Sequence, residues 1–203
     1  MPDLEKLIKL GDIKFDEPNS IDRILDNLFL WVFPERVTPN HLTTFRYLTI
    51  PPVFFFLLNQ SYTIGLILFA ISSFTDALDG AMARTRSKIT NWGKLHDPIA
   101  DKILIGITGA VLITRYINFQ IIVAIIILEL LTVMVAIHLH EDSEKEMGAK
   151  LPGKIKMVCQ SFGLIFLLLG IINQVSGLIF FATSLFYLAI FFSITNIFLY
   201  KSL

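Results

Sequence analysis

Six apolar stretches run along the chain, each long or nearly long enough to carry a helix through a bilayer, which takes about 20 residues. They cover Leu42–Leu58, Tyr62–Ala83, Pro98–Thr114, Phe119–Leu139, Ile155–Ile172 and Gly177–Tyr200. The connections Asn59–Ser61 and Asn173–Ser176 carry no charge, and the one around Arg115–Asn118 carries one. Lys and Arg collect elsewhere: five before residue 37, five from Arg84 to Lys102 and four from Lys145 to Lys156. Because Lys and Arg bias sets orientation, the pattern predicts six transmembrane helices with both termini and these two loops cytoplasmic.

A seventh segment, Ile21–Phe33, has a different pattern. Ile21, Ile24, Leu25 and Leu28 follow helical spacing, with Asp22, Arg23 and Asp26 on the opposite face. Such a segment suits a helix lying in the membrane interface, which Pro34 then ends. A soluble helix packed on the bundle is the competing reading. The expected architecture is an all-α integral membrane protein with six transmembrane helices and an N-terminal interfacial amphipathic helix. Residues 1–36 form its cytoplasmic N-terminal segment and residues 37–203 its six-helix domain.

Composition agrees with the pattern: 54% of the 203 residues are hydrophobic and 17% charged, too apolar a balance for a soluble domain of this size. The first twenty residues are charged and lack the apolar run and small-residue cleavage site of a signal peptide. A single cysteine, Cys159, excludes an intramolecular disulfide and a Cys-rich metal site, and is expected to fill space in a helix.

After residue 36 only nine acids remain, and four of them lie in the polar loop at Glu141–Glu146. The other five, Asp76, Asp79, Asp97, Asp101 and Glu129, sit inside or beside apolar segments. An ionisable residue there costs roughly 2.5–3.5 kcal/mol on insertion scales, so each points to function. On a helix Asp76, Asp79, Gly80, Ala83 and Arg84 fall within an arc of ~140°, and Asp97 and Asp101 stand one turn apart on the next helix, with Pro98 near its start. The predicted topology brings four carboxylates together near the cytoplasmic side.

Like charges that close raise one another's pKa unless cations intervene. Hard divalent ions with oxygen ligands answer the need, and two Mg²⁺ or Mn²⁺ ions suit four carboxylates, an arrangement typical of phosphoryl chemistry. Small residues on the acidic face suggest a flat ligand lying against the helix. The competing reading is a set of intramembrane salt bridges with Arg84 and Lys102 as partners, which leaves two acids unpaired. His96 adjoins Asp97, whereas His138 and His140, two apart, face opposite sides of a helix.

The run from Asp76 through Asp79, Gly80, Ala83, Arg84, Gly93 and Asp97 to Asp101 resembles the full signature of the CDP-alcohol phosphatidyltransferase family, D-x2-D-G-x2-A-R-x8-G-x3-D-x3-D. Thr38–Thr43, with Arg46 following, resembles that family's P-N-x-L-T segment. Pro152–Gln160 is similar to the G-K-x-K-T-x-x-Q stretch of its phosphatidylglycerophosphate synthases. The resemblance covers roughly residues 34–200. It implies a homodimeric six-helix enzyme of a bacterial cytoplasmic membrane, with its active site open to the cytoplasm and no nucleic-acid partner. Asp76, Asp79, Asp97 and Asp101 would bind two divalent cations, and Asp101 would also be the general base. Gly80 and Ala83 would make room for the cytidine nucleotide of CDP-diacylglycerol, Arg84 would contact its phosphates, and Gly93 would allow close approach of the connecting loop.

The acceptor alcohol is expected to be glycerol 3-phosphate, its phosphate met by Lys154, Lys156 and Arg46. Lys154 and Lys156 are about 200° apart on a helix, so one of them should face the ligand. Met157 stands where such synthases have Thr, and Leu128 where they carry Arg before Glu, which leaves inositol phosphate or phosphatidylglycerol as alternatives. From other classes, a cation channel or transporter, or a non-catalytic metal-binding membrane protein, would also place Asp in membrane helices. Transport sites usually lie near the bilayer midplane instead of bunching at one face.

Overall fold

The computed structural model describes residues 20–30, 33–34, 37–86, 90–140 and 151–201, and its regular elements there are all helical. The expected charged N-terminal stretch and the acidic loop at Glu141–Glu146 lie outside the described residues. The helices are α1 (Ser20–Leu28), α2 (Pro39–Leu58), α3 (Tyr62–Thr85), α4 (Asn91–Tyr116), α5 (Phe119–His140), α6 (Leu151–Asn173) and α7 (Ser176–Lys201). Among the described residues, three stretches are long and apolar enough to cross a membrane: Tyr62–Thr85, Pro152–Asn173 and Ser176–Phe198.

Two helices depart from their expected limits. The third apolar helix was expected to start near Pro98, but α4 begins at Asn91, which puts Pro98 inside it. Its polar first turns read as loop by hydropathy alone. The missing proline N–H removes one ladder bond without ending the helix. The helix expected in the interface stops at Leu28, before the expected Phe33. Beyond it, the Leu30 and Phe33 carbonyls accept hydrogen bonds from Arg86 Nη2, at 2.7 and 3.3 Å.

The chain divides into two compact units, one within Lys14–Thr108 and one within Gly109–Leu203, with the α4 residues shared between them. In the first, α2 begins where Pro39 takes the first helical position, which needs no N–H. The Thr38 N–H donates to His41 Nδ1 at 3.2 Å. α2 and α3 pair through a short turn in which Gln60 has φ 61°. Gly65 lets α3 close onto Leu57, and the buried Thr49 and Ser72 hydroxyls share a 2.7 Å hydrogen bond. Leu30, Leu42, Leu78, Ala81 and Met82 form a core, covered by Leu25, Phe33 and Val37.

The second unit pairs α6 with α7 around a turn at Gln174 (φ 56°). Gly163 and Gly170 bring the helices together: a Cβ on the first would strike the Phe186 ring, and one on the second Ile179. Cys159 is buried, as expected. Large apolar side chains point outward, among them Phe180 at 76% and Phe198 at 68% exposure. Scattered exposed apolar residues are ordinary on a soluble protein, but a run of this density suits lipid.

Candidate functional site

Within the first unit, the motif acids gather around a residue from α2. Arg46 is fully buried at 0% exposure. Its Nη1 stands 2.8 Å from Asp76 Oδ1 and its Nη2 donates to Asp79 Oδ2 at 2.5 Å. Nη1 also reaches the Asp97 backbone carbonyl at 3.5 Å. The guanidinium thus bridges the two acids of α3 and touches the start of α4. Its Nε is buried without a hydrogen-bond partner, a cost set against a charge-assisted pair. An ion-pair reading named Arg84 and Lys102 as partners; for Asp76 and Asp79 the structure adds Arg46.

The other acids are held by α4. The Asp97 carboxylate accepts a short hydrogen bond from the Thr43 hydroxyl of α2. Asp101, one turn on, is buried. Gly93 lies within α4, not in the connecting loop. A Cβ there would come within 3.2–3.4 Å of Thr90 Oγ1, Asn40 Oδ1 and Asp97 Oδ2. The Gly93 N–H donates to Thr90 Oγ1 at 3.0 Å, and Thr90 in turn donates to Asn40 Oδ1 at 2.8 Å. The missing side chain therefore lets α2 and α4 share one polar network at their N-terminal ends. His96 stacks on Trp92 with ring centroids 4.1 Å apart, its Nδ1 on the Trp92 carbonyl. The side chains of His138 and His140 lie outside the described residues.

At the end of α3 the Arg84 side chain runs back along the helix. Its terminal nitrogens come 3.2 and 3.3 Å from where a Cβ on Gly80 would stand. The bare face expected to receive a flat ligand at Gly80 is thus lined by a guanidinium. Ala83, one residue before Arg84, is partly exposed. Arg84 in turn is forked onto Asp22 of α1 at 2.8 and 2.7 Å.

Sequence reasoning gave no role to Asp22, Asn40, Thr43 or Thr90. Three-residue spacing puts Asn40, Thr43 and Arg46 on one face of α2, the one available signal for that strip. Arg46, expected among the cations for an acceptor phosphate, is fully buried and lies on Asp76 and Asp79.

An all-oxygen donor set of four Asp suits a hard divalent cation. In this structure the cation between Asp76 and Asp79 is the Arg46 guanidinium. Among the described residues, no three His, Cys, Asp or Glu side chains close around a single point.

In the second unit, Lys156 is buried at 3% exposure and pairs with Glu129 at 2.7 Å, with Gln160 Nε2 at 3.4 Å from the same oxygen. Lys154 is exposed, so the two lysines part as their angular separation predicts. Gly153 lies against Asn196.

Residues 36–195 match the family model described as CDP-alcohol phosphatidyltransferase. The chain is also similar to curated proteins named CDP-diacylglycerol--glycerol-3-phosphate 3-phosphatidyltransferase. That of Rickettsia typhi is 40% identical over 80 residues, 38% of this chain and 45% of the relative. Its counterpart in Mycoplasma genitalium is 36% identical over 110 residues, 54% and 46% respectively. In Aquifex aeolicus the match is 37% over 65 residues, 32% and 36%. The chain thus spans less than half the length of these relatives.

Proposed function

We propose, since the chain belongs to the CDP-alcohol phosphatidyltransferase family, that it transfers a phosphatidyl group from CDP-diacylglycerol to glycerol 3-phosphate and releases CMP. The observation that carries this reading is Arg46 bridging the Asp76 and Asp79 carboxylates and reaching the Asp97 backbone carbonyl, with Arg84 laid over Gly80 on the helix of the two acids. The names of the relatives support the choice of acceptor.

In this reading Asp76, Asp79, Asp97 and Asp101 hold two divalent cations, Mg²⁺ or Mn²⁺. When bound, these ions neutralise the diphosphate and make CMP a better leaving group. Arg46 offsets part of the carboxylate charge and fixes the spacing of Asp76 and Asp79. Thr43 orients Asp97, and Arg84 contacts the nucleotide phosphates beside Gly80 and Ala83. Asp101 takes the proton from the acceptor hydroxyl, whose oxygen attacks the phosphorus that carries the diacylglycerol. That bond forms as the phosphorus–oxygen bond to CMP breaks. An ionised Asp is a weak base, so holding the two substrates in line supplies most of the acceleration. Lys154 and Lys156 are assigned to the acceptor phosphate, with Lys154 the contact and Lys156 tied to Glu129.

Helices α2–α7 then cross the bilayer six times, with α1 in the interface, both termini cytoplasmic and the active site on that side. Outward Leu48 and Phe55 on α2 and Leu130 and Met134 on α5 support spans beyond the three apolar enough on their own. Residues 37–203 make this domain, working as a homodimer in a bacterial cytoplasmic membrane. The test is a panel of acceptors with CDP-diacylglycerol, read by CMP release and product mass. Glycerol 3-phosphate should give the largest kcat/KM. Preference for inositol phosphate or phosphatidylglycerol would move the acceptor assignment, and no CMP release with any acceptor would end the enzyme reading.

A further inference from the structure

Asp22 of α1, which clasps Arg84 at the end of α3, has no part in the chemistry above. Arg84 Nε donates to Asp22 Oδ2 at 2.8 Å and Nη2 to Oδ1 at 2.7 Å. This is the side-on edge of the guanidinium held bidentately, the form of the pair that fixes orientation as well as adding energy. A guanidinium has five N–H donors. The fork takes two of them, and two of the remaining three form the end-on edge between Nη1 and Nη2. That edge belongs to the two nitrogens that lie over Gly80.

Asp22 is itself held firmly. It is 4% exposed, on a helix that packs through Leu25, and through Leu30 and Phe33 just beyond it, on the core that includes Leu78, Ala81 and Met82 of α3. The two residues after Arg84 are engaged as well, Thr85 with Asp26 at 3.4 Å and Arg86 with the Leu30 carbonyl at 2.7 Å. A flexible arginine on the last turn of a helix would otherwise sample many rotamers, and ordering it would weaken any ligand it binds.

We propose that Asp22 is a positioning residue: it holds the side-on edge of Arg84 so that the end-on edge is presented, already ordered, to the phosphates of a cytidine-diphosphate lipid. This rests on the reading of Arg84 as a nucleotide-phosphate contact. It gives the N-terminal helix a part in donor-substrate recognition, and Gly80 the task of leaving room for the folded-back arginine.

The experiment uses the full chain purified in detergent, with equilibrium binding of CDP-diacylglycerol, CMP and cytidine measured beside steady-state kinetics. Asp22→Asn removes the charge and one acceptor at constant shape. It should weaken CDP-diacylglycerol and CMP binding about tenfold, as loss of a charge-assisted hydrogen bond does. Cytidine binding and acceptor KM should stay within about twofold, because neither ligand meets Arg84 in this reading. Asp22→Glu keeps the charge and the helix docking but shifts the fork, and should lie between, about threefold weaker. Arg84→Lys should lose as much as Asp22→Asn, and adding Asp22→Asn to it should cost nothing more.

Unchanged CDP-diacylglycerol affinity in folded Asp22→Asn overturns the proposal. So does equal weakening of CMP, cytidine and acceptor, the mark of a merely structural residue. Should Asp22→Asn not fold, Asp22→Glu decides alone, and wild-type affinity there overturns the proposal. A wild-type chain that binds neither CMP nor CDP-diacylglycerol overturns the functional reading as well, whereas normal wild-type binding with indifferent variants overturns the positioning role only.

Discussion

Arg46 Nη2 stands 2.5 Å from Asp79 Oδ2, with both side chains shut away from solvent. Breaking a buried ion pair by removing one partner typically costs about 3–5 kcal/mol, because the other charge is left uncompensated. Arg46→Met should therefore lower the melting temperature in chelator by several degrees. Added Mn²⁺ should recover more of the loss in the variant than it adds to the wild type, since the ion answers the same uncompensated carboxylates. Equal stabilisation of the two proteins by Mn²⁺ would separate Arg46 from the cation site.

Divalent cation removal is the second test. In the proposed site the four acids outnumber the one guanidinium, so a dianionic diphosphate needs added cations to bind there. CMP release should vanish after thorough chelation and return with Mg²⁺ or Mn²⁺ but not with monovalent salt. Turnover that persists in chelator contradicts the assignment of Asp76, Asp79, Asp97 and Asp101.

The acids and their spacing were legible in the sequence because an ionisable residue in an apolar run costs too much to be incidental. Asp22 was not legible. Its partner Arg84 lies 62 residues away, and on an amphipathic helix an acid on the polar face reads as solvated. Arg46 was noticed but assigned to a phosphate, since a lone cation in an apolar helix does not reveal which acid it meets. The start of α4 was missed for a related reason: Asn91–Asp97 is polar, and hydropathy cannot tell a polar helical turn from a loop. Gly80 was expected to make room for a flat ligand, but what covers it depends on the rotamer of a residue four positions on, which periodicity does not fix.

Asp101→Asn tests the base. The amide can still offer an oxygen but cannot take the acceptor proton, so kcat should fall by about 10²–10⁴ while CDP-diacylglycerol binding changes little. A variant that keeps more than about a tenth of wild-type kcat would remove Asp101 from that role.

Gly80→Ala separates room for a ligand from room for Arg84. The new Cβ would meet the terminal nitrogens of Arg84 at 3.2–3.3 Å, and α3 gains a better helix former. The protein should fold with unchanged or slightly raised stability while CDP-diacylglycerol KM rises several-fold. An unchanged KM would mean that the guanidinium can shift without consequence for the donor substrate.

The two lysines at the start of α6 make opposite predictions. Lys156 is buried and holds Glu129 at 2.7 Å, so Lys156→Ala should cost stability on the order of 3 kcal/mol, visible as a lower melting temperature in detergent before any assay. Lys154 is exposed, where truncation usually changes stability by less than about 0.5 kcal/mol. If it meets a phosphorylated acceptor, Lys154→Ala should raise the acceptor KM about tenfold and leave CDP-diacylglycerol KM and melting temperature alone, since a charge-assisted contact is lost without disturbing the core. Glycerol as a competing neutral alcohol supplies the control: the variant should lose its preference for glycerol 3-phosphate over glycerol by a similar factor. If Lys154→Ala keeps that preference and only Lys156→Ala reduces it at unchanged melting temperature, the buried lysine is the phosphate contact. The Glu129 pair would then have to open when the acceptor binds.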